Sequence, residues 1–191
     1  MRTAELCRVT AETDIKLRLN IDGSGTSSIN TGCGFLDHML TLFSRHGRFD
    51  LEVFCKGDIE VDYHHTVEDI GIVLGQALFE CLGDKSNLVR YGSFFVPMDE
   101  ALGFCAVDIC NRAYTVFEAN FPQEKCGDFD ACMCVEFFRA VADNAKITVH
   151  LRAPYGDNSH HIAEAIFKAF GHAMSIATEK TDKTLSTKGT L

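Results

Sequence analysis

His64-His65-Thr66-Val67-Glu68 returns 96 positions later as His160-His161-Ile162-Ala163-Glu164, and this doubled His-His-x-x-Glu unit decides how the rest of the chain is read. Four of the eight histidines lie inside the two copies. On a helix the first His and the Glu are i and i+4 and share a face, while the second His points about 100° away. One copy can therefore offer a His/Glu pair to one metal ion and a single His to another. Two copies facing each other across a pseudo-two-fold axis could complete two such sites, the outline of a dimetal centre built by duplication. A lone His-His pair on a helix is usually a solvated surface feature, so the second copy carries the argument. Nitrogen and carboxylate ligands without nearby thiolate suit Mn, Fe, Co, Ni or Zn and disfavour Cu(I) or iron–sulfur.

The segments around each copy repeat as well. Asp14–Ile21 alternates as a half-buried strand, Asp22-Gly23-Ser24-Gly25 turns, and Ser27–Asn30 returns. Phe35–His46 has helical spacing and is stopped by Gly47; Asp50–Cys55 is strand-like; Thr66–Leu82 is an amphipathic helix ending at Gly83. In the second half Tyr91–Met98, Gly103–Ile109 and Tyr114–Glu118 read as strands. Cys132–Ala142 follows as a helix, Lys146–Arg152 as a strand, and Ser159–Thr178 as a long helix capped by Asn158 or Ser159. The expectation is an α+β fold: residues 1–191 form one unit of two similar halves, about 1–90 and 91–191, each a small mixed sheet with helices on one face.

Composition bounds the function. A net charge of −9 argues against nucleic acid or an anionic membrane as a general partner, yet local Arg and Lys can still hold an anionic substrate. No apolar run approaches the length of a membrane span, and Met1-Arg2-Thr3-Ala4-Glu5 lacks the apolar core of a signal peptide. Nine cysteines, an odd number without a Cys-x-x-Cys pair, suit a reducing cytoplasm better than a disulfide framework. Cys33, between Gly32 and Gly34, reads as structural rather than reactive.

Outside the repeat, His38 opens a helix beside Asp37, where a histidine can cap, pack or ligate. His150 lies on the face of its strand opposite Ile147, Val149 and Leu151, so it faces solvent or a site. His46 and His172 read as helix-end or surface residues. Arg90, Arg112 and Lys188 stand near element ends, where cations converge on anions. Ser186-Thr187-Lys188-Gly189 groups hydroxyls, a glycine and a cation, a plausible phosphate cradle without Walker spacing.

Taken together, six stretches closely resemble the imidazoleglycerol-phosphate dehydratase family: Glu12–Ile15, Gly34–Leu40, Asp62–Asp69, Pro97–Leu102, Asn158–Ala165 and Ser186–Gly189. The resemblance runs from Arg2 to Leu191. It implies the sixth step of histidine biosynthesis, the dehydration of imidazole glycerol phosphate to imidazole acetol phosphate. It also implies two Mn2+ ions per active site and a duplicated fold like the second domain of ribosomal protein S5. The expected assembly is a homo-oligomeric shell of twenty-four subunits built from trimers, with sites at subunit contacts. Carried over residue by residue, His38, His64, Glu68 and His161 would hold one ion, and His65, His150, His160 and Glu164 the other. Glu12 matches the catalytic acid/base, with His38, His65 and Glu68 beside the reacting atoms. Arg90, Arg112, Ser186, Thr187 and Lys188 match phosphate-binding positions, and His46 and Lys168 further substrate contacts. Leu42 stands where the family often has Gln, and Thr187 where Ser is common.

The carbon-bound proton that leaves in this reaction is not acidic. A metal on each ring nitrogen would favour the imidazolate, whose electrons expel the hydroxyl. Two other readings compete. A dimetal phosphohydrolase would need bridging Asp ligands, for which only Asp62 and Asp69 flank a motif, and a non-catalytic metal-binding shell would leave Glu12 and the basic residues without work.

Overall fold

The repeat extends from the motif to the whole topology. The computed structural model describes residues 1–182 and Leu185. In the first half β1 (Thr3–Val9), β2 (Thr13–Asn20) and β3 (Ser27–Asn30) precede α1 (Gly34–Gly47), β4 (Asp50–Gly57) and α2 (His64–Leu82). In the second, β5 (Tyr91–Met98), β6 (Ala101–Asp108) and β7 (Tyr114–Ala119) precede α3 (Met133–Ala145), β10 (Thr148–Tyr155) and α4 (Ser159–Ala177). A two-stranded hairpin, β8 (Lys125–Cys126) with β9 (Phe129–Asp130), interrupts it before α3. The sheets have matching orders, β1-β2-β4-β3 and β5-β6-β10-β7. In each, the strand pair joined through a helix is parallel and the others are antiparallel, as a β-α-β crossover requires.

Alternation sets which face of each sheet is covered. Along β2, Ile15, Leu17 and Leu19 are buried while Asp14, Lys16 and Arg18 are exposed; along β6, Cys105 and Val107 are buried while Phe104, Ala106 and Asp108 are half-buried. α2 lies on the first sheet and α4 on the second, and the helix layers meet as the pairs α1–α4 and α2–α3. Each half thus packs its helices against the other half, and one continuous core joins them, including Phe43, Phe137, Phe138, Phe167 and Phe170.

Glycines set the helix contacts. A Cβ on Gly171 of α4 would come within 2.9 Å of Phe43 O and 3.3 Å of His46 Cβ. A Cβ on Gly75 of α2 would come within 2.6 Å of Val141 O and 2.7 Å of Asn144 Cβ. The two pairings match position for position, so Gly75 corresponds to Gly171 as His64 does to His160, and Asn144 corresponds to His46.

The expected elements are found with ends shifted by a few residues. α2 starts at His64 rather than Thr66, so both histidines join its first turn. Two features were not expected. β1 carries Glu5 and Arg8 and turns only Ala4 and Leu6 toward the core, a pattern too polar to read as a strand without its partner β2. The β8–β9 hairpin is two residues a side, below the reach of periodicity. None of the nine cysteines is paired, and burial raises the pKa of Cys33. No described helix is long and apolar enough to cross a membrane.

Candidate metal centre

The second motif copy opens α4. Asn158 caps the helix by accepting from His160 N at 2.9 Å, and buried Ser159 exchanges hydrogen bonds with Gln123, fixing the first turn. His160 and Glu164 then meet on one face at 3.1 Å, the contact the i, i+4 spacing requires. His38, from the second turn of α1, places Nε2 at 2.7 Å from the same Glu164 oxygen. Asp37 anchors that turn by accepting from Thr31 N at 2.9 Å and Thr31 Oγ1 at 2.5 Å. The ligand atoms of His38, His160 and Glu164 all lie within 4.8 Å of one another.

The donor set fits a divalent cation. Two imidazole nitrogens and one carboxylate oxygen converge, the carboxylate is buried, and the rings stay half exposed on a cavity of about 440 Å³ also lined by Phe35, Tyr63 and Phe129. Burial would raise the Glu164 pKa, but hydrogen bonds from Lys168 (2.5 Å), His38 and His160 outweigh it and hold the carboxyl at about 2. Glu164 is therefore an anion before any ion arrives.

The first copy is not completed in the same way. His64 Nε2 and Glu68 Oε2 are 3.6 Å apart, a pair with the same spacing. The position in α3 that corresponds to His38 is Glu136, which pairs with Arg139 at 2.9 Å. Among the described residues, only the second copy finds a third ligand within the chain. Within one chain His38 thus stands with His160 and Glu164, whereas the expected grouping sets it with His64, Glu68 and His161. The helix-face rule had placed the members of each copy, but it carried no information about α1.

The second histidine of each copy has a carboxylate on its Nδ1. His65 Nδ1 lies 2.9 Å from Asp58 Oδ2, and His161 Nδ1 lies 2.7 Å from Glu100 Oε2. Each contact raises the histidine's pKa and engages Nδ1, so that Nε2 is the nitrogen left for a ligand, with Asp99 3.9 Å from Nε2 of His161. Glu100, held at about 2 chiefly by His161, also accepts from Asp157 N and Asn158 N and so ties ring to helix start. Among the described residues, Asp58 Oδ1 is buried without a partner. His65 Nε2 stands 3.6 Å from Glu12 Oε1. The turn bearing Glu12 is fixed by Asp58 N on Glu12 O at 3.1 Å and by Thr13 Oγ1 on Asp69 at 2.5 Å.

Asp69 also takes Arg8 at 2.9 Å, and Asp62 accepts from His64 N at 2.7 Å. Both carboxylates that a phosphohydrolase would need as bridges are thus engaged in holding the fold. His150 is exposed on β10, outside the three-residue group. Arg90 and Arg112 converge on Asp108, at 2.7 and 3.6 Å. They sit at the Tyr91 end of β5, whereas Glu100 and His161 lie beyond its Met98 end, roughly 26 Å away along an extended strand. His46 and Lys168 line the α1–α4 seam, where His46 Nδ1 meets His172 Nε2 at 3.0 Å; these two histidines are partners rather than separate surface residues. Ser186, Thr187 and Lys188 lie outside the described residues.

Sequence reasoning missed Asp58 and Glu100, and it set His172 at a helix end or surface without its partner His46. Glu100 lay inside the Pro97–Leu102 stretch, which carried the family resemblance without suggesting a role. Asp58 and His172 had no local signal, since each acquires its partner through the fold.

Comparison with known proteins gives a consistent picture. The family model described as imidazoleglycerol-phosphate dehydratase matches residues 31–174. The proteins of that name from Acetivibrio thermocellus and Bacillus cereus are 58% and 56% identical, each alignment covering 100% of this chain and 99% and 100% of the relative. The crystal structure of the Staphylococcus aureus imidazoleglycerol-phosphate dehydratase superposes with a TM-score of 0.86 at 45% identity, covering 94% of this chain and 99% of that one. The IGPD of Pyrococcus furiosus gives 0.86 at 36% identity, covering 97% and 100%.

Proposed function

The chain belongs to the imidazoleglycerol-phosphate dehydratase family, and from that premise we propose that it converts imidazole glycerol phosphate to imidazole acetol phosphate in histidine biosynthesis. As a member it is a dehydratase, a hydro-lyase. The observation that carries the reading is the convergence of His38, His160 and Glu164 at the start of the second motif copy. Those three would hold one ion. His64 and Glu68 would contribute to a second, with remaining ligands among His65, His150 and His161 supplied across a subunit contact. When bound, two manganese ions would act as Lewis acids on the substrate's ring nitrogens and lower their pKa.

The chain's own residues do the rest. Glu12 carries protons to and from the substrate carbon and the departing hydroxyl, from a turn that Asp58 and Asp69 hold still. Asp58 and Glu100 keep Nδ1 of His65 and His161 engaged, so each ring presents Nε2. Lys168 and His46, along the seam from Glu164, and the Arg90–Arg112 pair, with Ser186, Thr187 and Lys188, receive the phosphate.

Arg90 and Arg112 are too far from His161 in one chain to share a small substrate with it, which supports sites completed between chains; the shell of twenty-four subunits in trimers rests on the family resemblance alone. We place the enzyme in the cytoplasm, where its unpaired thiols stay reduced. Incubating manganese-loaded protein with imidazole glycerol phosphate tests the function: the acetol product is expected. Release of inorganic phosphate instead would favour a phosphohydrolase, and no reaction would leave a metal-binding shell.

A further inference from the structure

The α1–α4 seam carries a histidine pair that the repeat does not explain. His46 Nδ1 and His172 Nε2 are 3.0 Å apart, and Phe94 stacks on His172 with ring centroids 4.2 Å apart at 22°. At the corresponding positions of the α2–α3 seam stand Asn144 and Gln76, and Asn144 turns its amide onto its own helix at Ala140 O, 2.8 Å away. The pair therefore belongs to one half only. Gly171 permits it, since a side chain there would meet the α1 backbone.

Its place in the fold is informative. Glu164, Lys168 and His172 follow at i, i+4 and i+8 on one face of α4, and His38 and His46 are eight residues apart on α1. The seam thus runs for about 12 Å from the candidate metal group to the histidine pair, with the Lys168 ammonium between. The charged groups acting on His46 are His172, Lys168, Glu164 and Arg45, and Arg48 acts on His172. Burial first lowers the pKa of both rings, helped at His46 by His172, Lys168 and Arg45 against Glu164 and at His172 by Arg48, which favours the neutral form of each.

We propose that His172 is a positioning residue for the phosphate end of the substrate, holding His46 so that Nε2 of His46 meets the anion as an N–H donor. The inference rests on the dehydratase reading above. One proton must lie between His46 Nδ1 and His172 Nε2. If His172 supplies it, the single proton of neutral His46 sits on Nε2; if neutral His46 supplies it, Nε2 carries a lone pair, and an anion facing Nε2 selects the first arrangement. If His46 takes up a second proton as the anion binds, Nδ1–H goes to His172 and Nε2–H still faces the phosphate. Without His172, neutral His46 is free to carry its proton on Nδ1 and turn a lone pair toward the anion.

The test compares His172→Phe, which keeps an aromatic ring beside Phe94, with His172→Gln, the residue already accepted at the matching position of α2. Steady-state kinetics with imidazole glycerol phosphate are run alongside calorimetric binding of inorganic phosphate. His172→Phe should raise KM and the phosphate dissociation constant by about five- to tenfold, the scale of one lost hydrogen bond, with kcat within about twofold. His172→Gln should recover most of both. Wild-type KM and phosphate affinity in His172→Phe would overturn the proposal, as would equal losses in the two variants, which would mark a packing role. If the wild type fails to turn over the substrate, the dehydratase reading falls, and phosphate binding still decides whether His172 serves His46.

Discussion

His38 and Glu164 are joined at 2.7 Å although one lies on α1 of the first half and the other on α4 of the second. That contact turns a repeated motif into a three-ligand group. Glu164→Gln keeps the shape but removes the anion that Lys168, His38 and His160 all face. Manganese affinity should fall by about 10²-fold or more, with a comparable loss of activity, and the metal-free protein should also lose thermal stability because the part-buried Lys168 keeps its charge without its partner. Calorimetric manganese titration checks this; undiminished affinity would remove Glu164 from the ligand set.

Asp58 and Glu12 flank His65 on its two nitrogens, and their variants should separate by kinetics. Asp58→Asn disturbs the ring that we propose as a ligand, so manganese affinity and activity should drop together by roughly 10–100-fold. Glu12→Gln should leave manganese and substrate binding intact and lower kcat by about 10²–10⁴-fold. A Glu12→Gln enzyme with normal kcat would take proton transfer away from this residue.

The separation of Arg112 from His161 predicts complementation. His38→Ala and Arg112→Ala proteins should each be inactive. Mixed subunits refolded or co-expressed together should regain activity, because some sites draw an intact His38 from one chain and an intact Arg112 from another. Mixtures as inactive as their parents would show that each chain builds its site alone.

Lys85 gives a pH test of the fold itself. It is 1% exposed, donates to Asn111 Oδ1 at 2.6 Å and Ala145 O at 3.3 Å, and burial lowers its pKa from 10.5 to about 8. Above pH 8 the folded lysine loses its proton while the unfolded one keeps it, so its contribution to stability rises with pH up to about 10.5. Buried Cys55 and Cys81, raised by burial to about 11 from 9.0, act oppositely: the unfolded thiols ionise first, and stability falls above pH 9. Lys85→Met should abolish the rise and keep the fall. Between pH 7.5 and 9.5 the wild type should gain on the variant by on the order of 1–2 kcal/mol in urea unfolding at fixed protein concentration. Parallel profiles would mean the lysine stays charged when folded.

Much of this architecture is legible in the residues because the period of each element matches its burial. Ile15, Leu17 and Leu19 alternate, and α4 begins where Asn158 caps it. The partners in each motif copy follow from i, i+4 geometry alone. What local sequence could not supply is the identity of third parties. His38 reaches Glu164 across 126 residues, and Asp58 and Glu100 meet their histidines through loops whose course no periodicity encodes. Near-symmetry also misleads: the repeat suggests two equal sites, but Glu136 occupies the place of a second His38. The polar edge strand β1 shows the same limit, since its alternation has meaning only beside β2.

In the proposed enzyme the duplicated motif, completed by His38, forms a two-ion centre that dehydrates imidazole glycerol phosphate. The most direct measurement titrates metal-free protein with Mn2+ while following imidazole acetol phosphate. Activity should be absent without metal and reach its plateau at two ions per chain. Full activity with no ion or with one would contradict the account.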